Sequence, residues 1–324
     1  MAIRWPGGLR WLVAVLTAVA LFVGIGVLFN RGIGPLLQRD ECTAEVDGHS
    51  VRLSVEQAEN AALISAISVQ RGMPARAASI ALATAFQESK LRNLTYGDRD
   101  SLGLFQQRPS QGWGTRAQIL DPYFATNAFY DALEQIEGYE SMPITEAAQL
   151  VQRSAYPDAY ADHEQDARAL ASALTGHSPE AFSCTLYGEV DAGSPKLTES
   201  GLTARAEKAR RALVAAHGEQ TMGGFEPGGV TDGHMAGSAH YEGRAVDVFV
   251  RPINAENRRR GWAMAHYLVA NASRLKIQTV IFDDRIWQAH RSEEGWRDYR
   301  VPDSATGDQS ILEHRDHVHF DVWE

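Results

Sequence analysis

The chain has 324 residues, 44% of them hydrophobic and 22% charged, long enough to bury two cores of ordinary size. Its formal net charge of -10 excludes a function built on neutralising the phosphates of a nucleic acid, which needs a positive surface.

Residues 1–10 carry Arg4 and Arg10 and no acidic side chain, and from Trp11 to Phe29 every residue is apolar, small or threonine. Such a run is long enough to cross a bilayer as a helix. With its positive flank it predicts a cytoplasmic tail over 1–10, a single transmembrane helix over 11–29 and everything after Phe29 outside the cell. Ala18-Val-Ala20 also fits a signal-peptide cleavage site, but cutting there leaves the apolar Leu21 to Phe29 exposed. A spacer follows at 30–41.

The next segment, 42–185, reads as all-α. Val55 to Arg71, Pro74 to Lys90, Asp121 to Glu137, Ile144 to Arg153 and Tyr160 to Leu174 repeat apolar residues at three- and four-residue spacing. Cys42 and Cys184, the two cysteines of the chain, bracket it. In an oxidising exterior they are expected to pair, a closure contributing about 4 to 5 kcal/mol in the chain-entropy picture; two unrelated buried thiols are the alternative. Residues 186–200, rich in Gly, Ser, Asp and Pro, predict a linker. Beyond it, 201–324 reads as α+β on a small antiparallel sheet: helices at Leu202 to His217, Ala255 to Leu268 and Asn271 to Leu275, strands at Ala245 to Val250, Thr279 to Phe282 and His317 to Val322.

Within 42–185, Gln87-Glu88-Ser89 ends a helix and Ser101-Leu-Gly103-Leu-Phe-Gln106 follows a turn-rich loop. These residues resemble the E-S and G-L-x-Q motifs of lytic transglycosylases and goose-type lysozymes, which implies a lysozyme-like fold cutting the glycan of peptidoglycan. The resemblance makes Glu88 the general acid, a carboxyl that must stay protonated to serve the leaving oxygen. The apolar Ala81, Leu82, Ala85 and Phe86 around it push its pKa in that direction. Ser89, Gly103 and Gln106 fall to the saccharide groove. The stretches from Gln107 to Gly114 and from Val151 to Tyr160 resemble segments of actinobacterial members. Tyr156 falls where the A-Y-N-A-G motif of the family puts a tyrosine beside the acid, although the residues after it depart from that motif, and Trp113, Tyr156 and Tyr160 suit a core equally well. Asp98 and Asp100 are candidates to hold a water; transglycosylases manage with the single acid, and the resemblance leans their way.

In 201–324, Ser238-Ala-His240-Tyr-Glu-Gly243-Arg-Ala245-Val-Asp247 and Asp316-His317-Val-His319 supply imidazole and carboxylate donors of the kind a water-activating zinc uses. Alternation puts His240 and Asp247 on opposite sides of a continuous strand, so a bend at Gly243 is required. The pattern S-x-H-x-x-G-x-A-x-D with a late H-x-H resembles D-Ala-D-Ala carboxypeptidases and murein endopeptidases. It implies a Zn2+ held by His240, Asp247 and His319, with His317 and Asp316 catalytic. Asp316 stands where those carboxypeptidases carry a longer glutamate base, and His314 with His317 and His319 is closer to the endopeptidase branch. The substrate-binding arginine of the family is missing from the Gly223 to Gly228 segment. His234, His266 and His290 lack any such context and read as surface or structural.

Together these features predict a membrane-anchored, bifunctional peptidoglycan hydrolase, with the cell envelope or a secretion or conjugation machine as its surroundings. An active glycosidase whose zinc domain only binds, and a non-catalytic wall-binding scaffold, are the alternatives.

Overall fold

Alternation of small buried and polar residues starts the chain's folded part: Cys42 and Ala44 point inward from a first strand, Val51 and Leu53 from a second. In the computed structural model, which describes residues 17, 19, 38–153, 157–303 and 305–324, these are β1 (Glu41–Val46) and β2 (His49–Ser54). They are followed by α1 (Val55–Gln70) and α2 (Ala75–Ser89), then α3 (Arg116–Ile119), α4 (Pro122–Glu134), α5 (Ile144–Gln152), α6 (Glu164–Leu174) and β3 (Phe182–Thr185). Ser54 starts α1 with a capping box, its hydroxyl accepting from Gln57 N while the Gln57 side chain accepts from Ser54 N.

The remainder runs α7 (Ala204–His217), β4 (Met222–Gly223), β5 (Ala245–Phe249), α8 (Ala255–Ala270), α9 (Ala272–Leu275), β6 (Ile277–Phe282), β7 (Arg285–Gln288), β8 (Arg297–Asp298), α10 (Gln309–Leu312) and β9 (His317–Val322). Two antiparallel sheets result: a three-stranded one in the order β2-β1-β3 and a six-stranded one in the order β4-β5-β9-β6-β7-β8.

Asp40–Glu324 is one compact unit. Helix α8 packs on the face of β6 and also against α1 and α6, and Trp262, fully buried at its centre, meets Phe282 and Trp296 edge-on. The segment 186–200 has no regular structure apart from the bridge of Leu197 to Thr203. It departs from β3, which the C-terminal part clamps: Trp287 Nε1 donates to Cys184 O at 3.3 Å, and Trp296 Nε1 donates to Phe182 O at 2.8 Å.

Two expectations need correction. The segment 42–185 is not all-α, because β1, β2 and β3 form a sheet that the sequence hides: its inward residues include Cys42, Ala44 and Cys184, too small to stand out as a strand pattern. The transmembrane helix expected over Trp11 to Phe29 falls outside the described residues except at Thr17 and Val19, and among the described residues no helix is long and apolar enough to cross a membrane. The single-pass anchor is therefore unsupported, and so is the placement of tail and folded part on opposite sides of a membrane that rested on it. Cys42 and Cys184 do form a disulfide, joining directly opposed positions of β1 and β3.

Candidate functional site

Register builds the centre. In the β5–β9 pair Asp247 lies directly opposite His319, and Phe249 opposite His317, so cross-strand pairing brings the carboxylate against the imidazole. His240 arrives from a single 3-10 turn, Ala239–Glu242, and its amide donates to the Ser238 hydroxyl at 3.4 Å. Gly243 closes that turn at φ +64°, in a space where a Cβ would lie 2.5 Å from the Gly201 carbonyl oxygen, so the expected bend is also a close approach only glycine permits.

Three donor atoms converge there. Asp247 Oδ1 lies 3.0 Å from His319 Nδ1 and 3.3 Å from His240 Nε2, and the two nitrogens are 3.2 Å apart. Neighbouring ligands of a tetrahedral ion with bonds of about 2.0 to 2.2 Å stand roughly 3.3 Å apart, so the set fits a divalent ion. The outer contacts agree. His240 Nδ1 is 2.7 Å from the Gly224 carbonyl, which accepts only a hydrogen, so the lone pair of Nε2 faces the other two donors. Gly224 has φ +77°, and a Cβ on it would lie 2.3 Å from the His240 ring. His319 Nε2 is 3.6 Å from Asp321 Oδ2. Burial works to raise the Asp247 pKa, but His240 and His319 outweigh it and hold the carboxyl well below its usual range. Burial likewise opposes the charge on His319, yet Asp247 and Asp321 push it up to about 9. An ion of positive charge would take the place of that proton.

Around this centre opens a cleft of about 780 Å³ whose lining includes Phe249, Arg251, Tyr299, His314 and His317. His317 Nδ1 donates to Asp316 Oδ1 at 2.7 Å, and its Nε2 faces Asp247 Oδ1 at 3.8 Å. Asp316 is buried, with its other oxygen accepting from Arg251 Nε at 2.6 Å. Both oxygens being engaged, Asp316 sits as the holder of His317 rather than as a free base.

His314 adopts φ +54°, donates from Nδ1 to Leu312 O at 3.1 Å, and has its ring 4.6 Å from that of His317 and 5.7 Å from that of His319. Burial and the two neighbouring imidazoles push it down to about 2, so it is neutral with its Nε2 lone pair available. His234, taken from the sequence as surface or structural, stacks on His240 with centroids 3.8 Å apart, and its donor atom lies within 4.8 Å of those of His240 and Asp247. His266 is buried and donates to Ala173 O at 2.8 Å, and His290 is exposed.

The acid site has its own scaffold. Glu88, half-buried on the last turn of α2, accepts from Tyr160 Oη at 2.8 Å. Burial raises its pKa, against the lowering hydrogen bonds from Tyr160 and Gln152. Ser89 is buried and donates to Ala85 O at 3.0 Å and Leu104 O at 2.7 Å, tying the end of α2 to the turn that holds Gly103 and Gln106. Gly103 needs its φ of +77°, since a Cβ would meet Ile119 O at 2.6 Å. Gln106 Nε2 donates to Tyr96 O and to Gly103 O, each at 3.3 Å. Tyr156 lies outside the described residues; among the described residues the fully buried Tyr160 stands beside the acid. Asp100 is fastened by Arg108 Nε at 2.8 Å and by the Ser110 amide at 2.8 Å, which hold it far below the usual carboxylate range.

A family model described as VldE, C-terminal domain, matches residues 198–310, about a third of the 324 residues. The match takes in His234, His240 and Asp247 and stops before His314, His317 and His319. No curated protein matches the chain.

Proposed function

We propose that the protein is a bifunctional peptidoglycan hydrolase that cuts stem peptides at the His240, Asp247 and His319 centre and glycan strands at Glu88. The observation that carries this reading is the convergence of His240 Nε2, Asp247 Oδ1 and His319 Nδ1 at 3.0 to 3.3 Å beside an open cleft. His240, Asp247 and His319 would hold a zinc ion, which would supply there a Lewis acid that makes water nucleophilic near neutral pH. His314 packs its ring 4.6 Å from that of His317 and would hold that ring against the cleft. His317, its Nδ1–H donated to Asp316, which Arg251 holds in turn, presents the Nε2 lone pair toward the same space and would take the proton that the attacking water sheds and return it to the departing amine.

At the other site Glu88 delivers its proton to the glycosidic oxygen, and its raised pKa keeps that proton in place toward neutral pH. With Asp100 committed to Arg108 and Ser110, the single-acid route is favoured, in which the 6-hydroxyl of the sugar attacks and an anhydro-sugar end results. A second reading, in which the zinc domain binds stem peptides without cutting them, draws support from the full engagement of Asp316.

Incubation of the full chain with a synthetic stem peptide tests the proposal. Cleavage is expected to stop on adding a zinc chelator, to be absent in His319→Ala and to persist in Glu88→Gln. Cleavage by His319→Ala at the wild-type rate would overturn it, and tight binding of an uncut peptide would establish the second reading.

A further inference from the structure

The β6–β7 hairpin turns through Asp283 and Asp284, both with positive φ (53° and 59°), the two-residue arrangement that matches strand twist. Amides at a hairpin tip ordinarily face water. Here they do not: Asp283 N donates to His314 O and Asp284 N donates to Glu313 O, each at 2.9 Å. Arg315 closes the same contact from the other side, with Nη2 on Asp284 Oδ2 at 2.6 Å, Nε on Glu313 Oε2 at 2.6 Å and Nη1 at 3.6 Å from Asp283 Oδ1. The Asp283 carboxylate is itself buried and fixed by Trp262 Nε1 at 3.0 Å and Arg258 Nε at 2.5 Å, both from α8. Asp284 O in turn accepts from Tyr299 N at 2.8 Å, and the Tyr299 ring meets that of His314 edge-on at 4.8 Å.

We infer that the Asp283–Asp284 tip and Arg315 form a clamp whose task is to hold His314 in its left-handed conformation, with the imidazole over His317 and His319; Asp284 and Arg315 are thus positioning residues of the proposed peptidase. A non-glycine residue at positive φ is held there only where its surroundings outweigh the local strain. His314 has two backbone hydrogen bonds, a three-way arginine and an aromatic edge converging on its own segment. The nearest explanation without function, an ordinary surface ion-pair cluster, does not account for the tip's amides being spent on Glu313 and His314. The inference rests on the proposed role of His314 in peptide cleavage.

Asp284→Asn keeps a residue tolerant of positive φ and removes the charge, and Arg315→Met removes the guanidinium while keeping most of the side chain's bulk. In the full chain both variants are expected to bind zinc one per chain, to lower kcat on the stem peptide at least tenfold with KM within twofold, and to shift or broaden the His314 ring signals in a spectrum of histidine-labelled protein while those of His240 stay in place. Arg315→Lys is expected to recover part of kcat. Unchanged His314 signals in both variants would overturn the clamp, as would equal losses in zinc content and kcat, which mark a general structural role. The spectrum needs no turnover, so a wild-type protein that cuts no peptide counts against the proposed function alone, and the His314 signals still decide the clamp.

Discussion

Gly224 shows how one residue governs the centre without contributing a donor. Its carbonyl fixes the tautomer of His240, and its missing side chain leaves the room the ring occupies. Gly224→Ala is therefore expected to weaken zinc binding by about 10- to 100-fold, the range seen when outer contacts of metal ligands are lost, measured by competition with a chromophoric chelator; unchanged affinity would mean the loop simply moves aside. Tyr160 acts on the other acid. Its hydroxyl stabilises the charged form of Glu88, so Tyr160→Phe raises the Glu88 pKa further. Under the proposed role, in which the protonated acid is the active form, the alkaline limb of a glycan-cleaving pH profile is expected to move to higher pH, whatever happens to its height. The nearness of His240, Asp247 and His319 was legible in two short motifs, because strand pairing sets Asp247 opposite His319 and the turn closed by Gly243 brings His240 to them. His234 was not, since it reaches its partner through an irregular segment whose path no local pattern encodes, and Tyr160 stood out only as an aromatic that suits a core equally well.

Among the elements, those with bulky alternating residues, β6 and β9, were readable as strands, and the long helices showed through their apolar spacing; α1 spans Val55–Gln70 where Val55 to Arg71 was predicted. The sheet of β1, β2 and β3 was not, because the inward face of its central strand is carried by the small Cys42 and Ala44 and its third strand is four residues long and 128 residues away from the end of β2. That separation gives the disulfide its weight. It closes a loop of 142 residues, for which chain entropy gives about 5 kcal/mol. The double variant Cys42→Ala, Cys184→Ala is expected to lose a stability of that order in urea unfolding, and a change below about 1 kcal/mol would show that the unfolded chain is already restrained there.

At the scale of the whole unit, the strand β3 and helix α8 join the two candidate sites into one body. Trp287 and Trp296 bond to its carbonyls, and the Ser292 hydroxyl accepts from Leu186 N at 2.9 Å. Urea unfolding of 40–324 is accordingly expected to show a single transition by tryptophan fluorescence and by circular dichroism; two separate transitions would mean the halves fold independently. Two further buried imidazoles, His217 and His266, lie within this body away from the metal-binding candidates. Burial pushes His217 down to about 3, helped by Arg260, and His266 down to about 4, and neither has a hydrogen-bond partner for Nε2 among the described residues. Their folded values lie below the unfolded value of about 6.5, so their stabilising contribution is whole above that pH and is lost as pH falls toward 4 and 3. Stability is expected to decline across that window, and His266→Asn to flatten the decline.

Digestion of purified peptidoglycan by the 40–324 unit, with and without a zinc chelator and with fragments identified by mass spectrometry, reaches both sites at once. The account predicts anhydro-sugar ends that survive chelation and disappear in Glu88→Gln, together with peptide cuts that vanish on chelation and survive in Glu88→Gln. Peptidoglycan left intact by the zinc-loaded wild-type protein would contradict it.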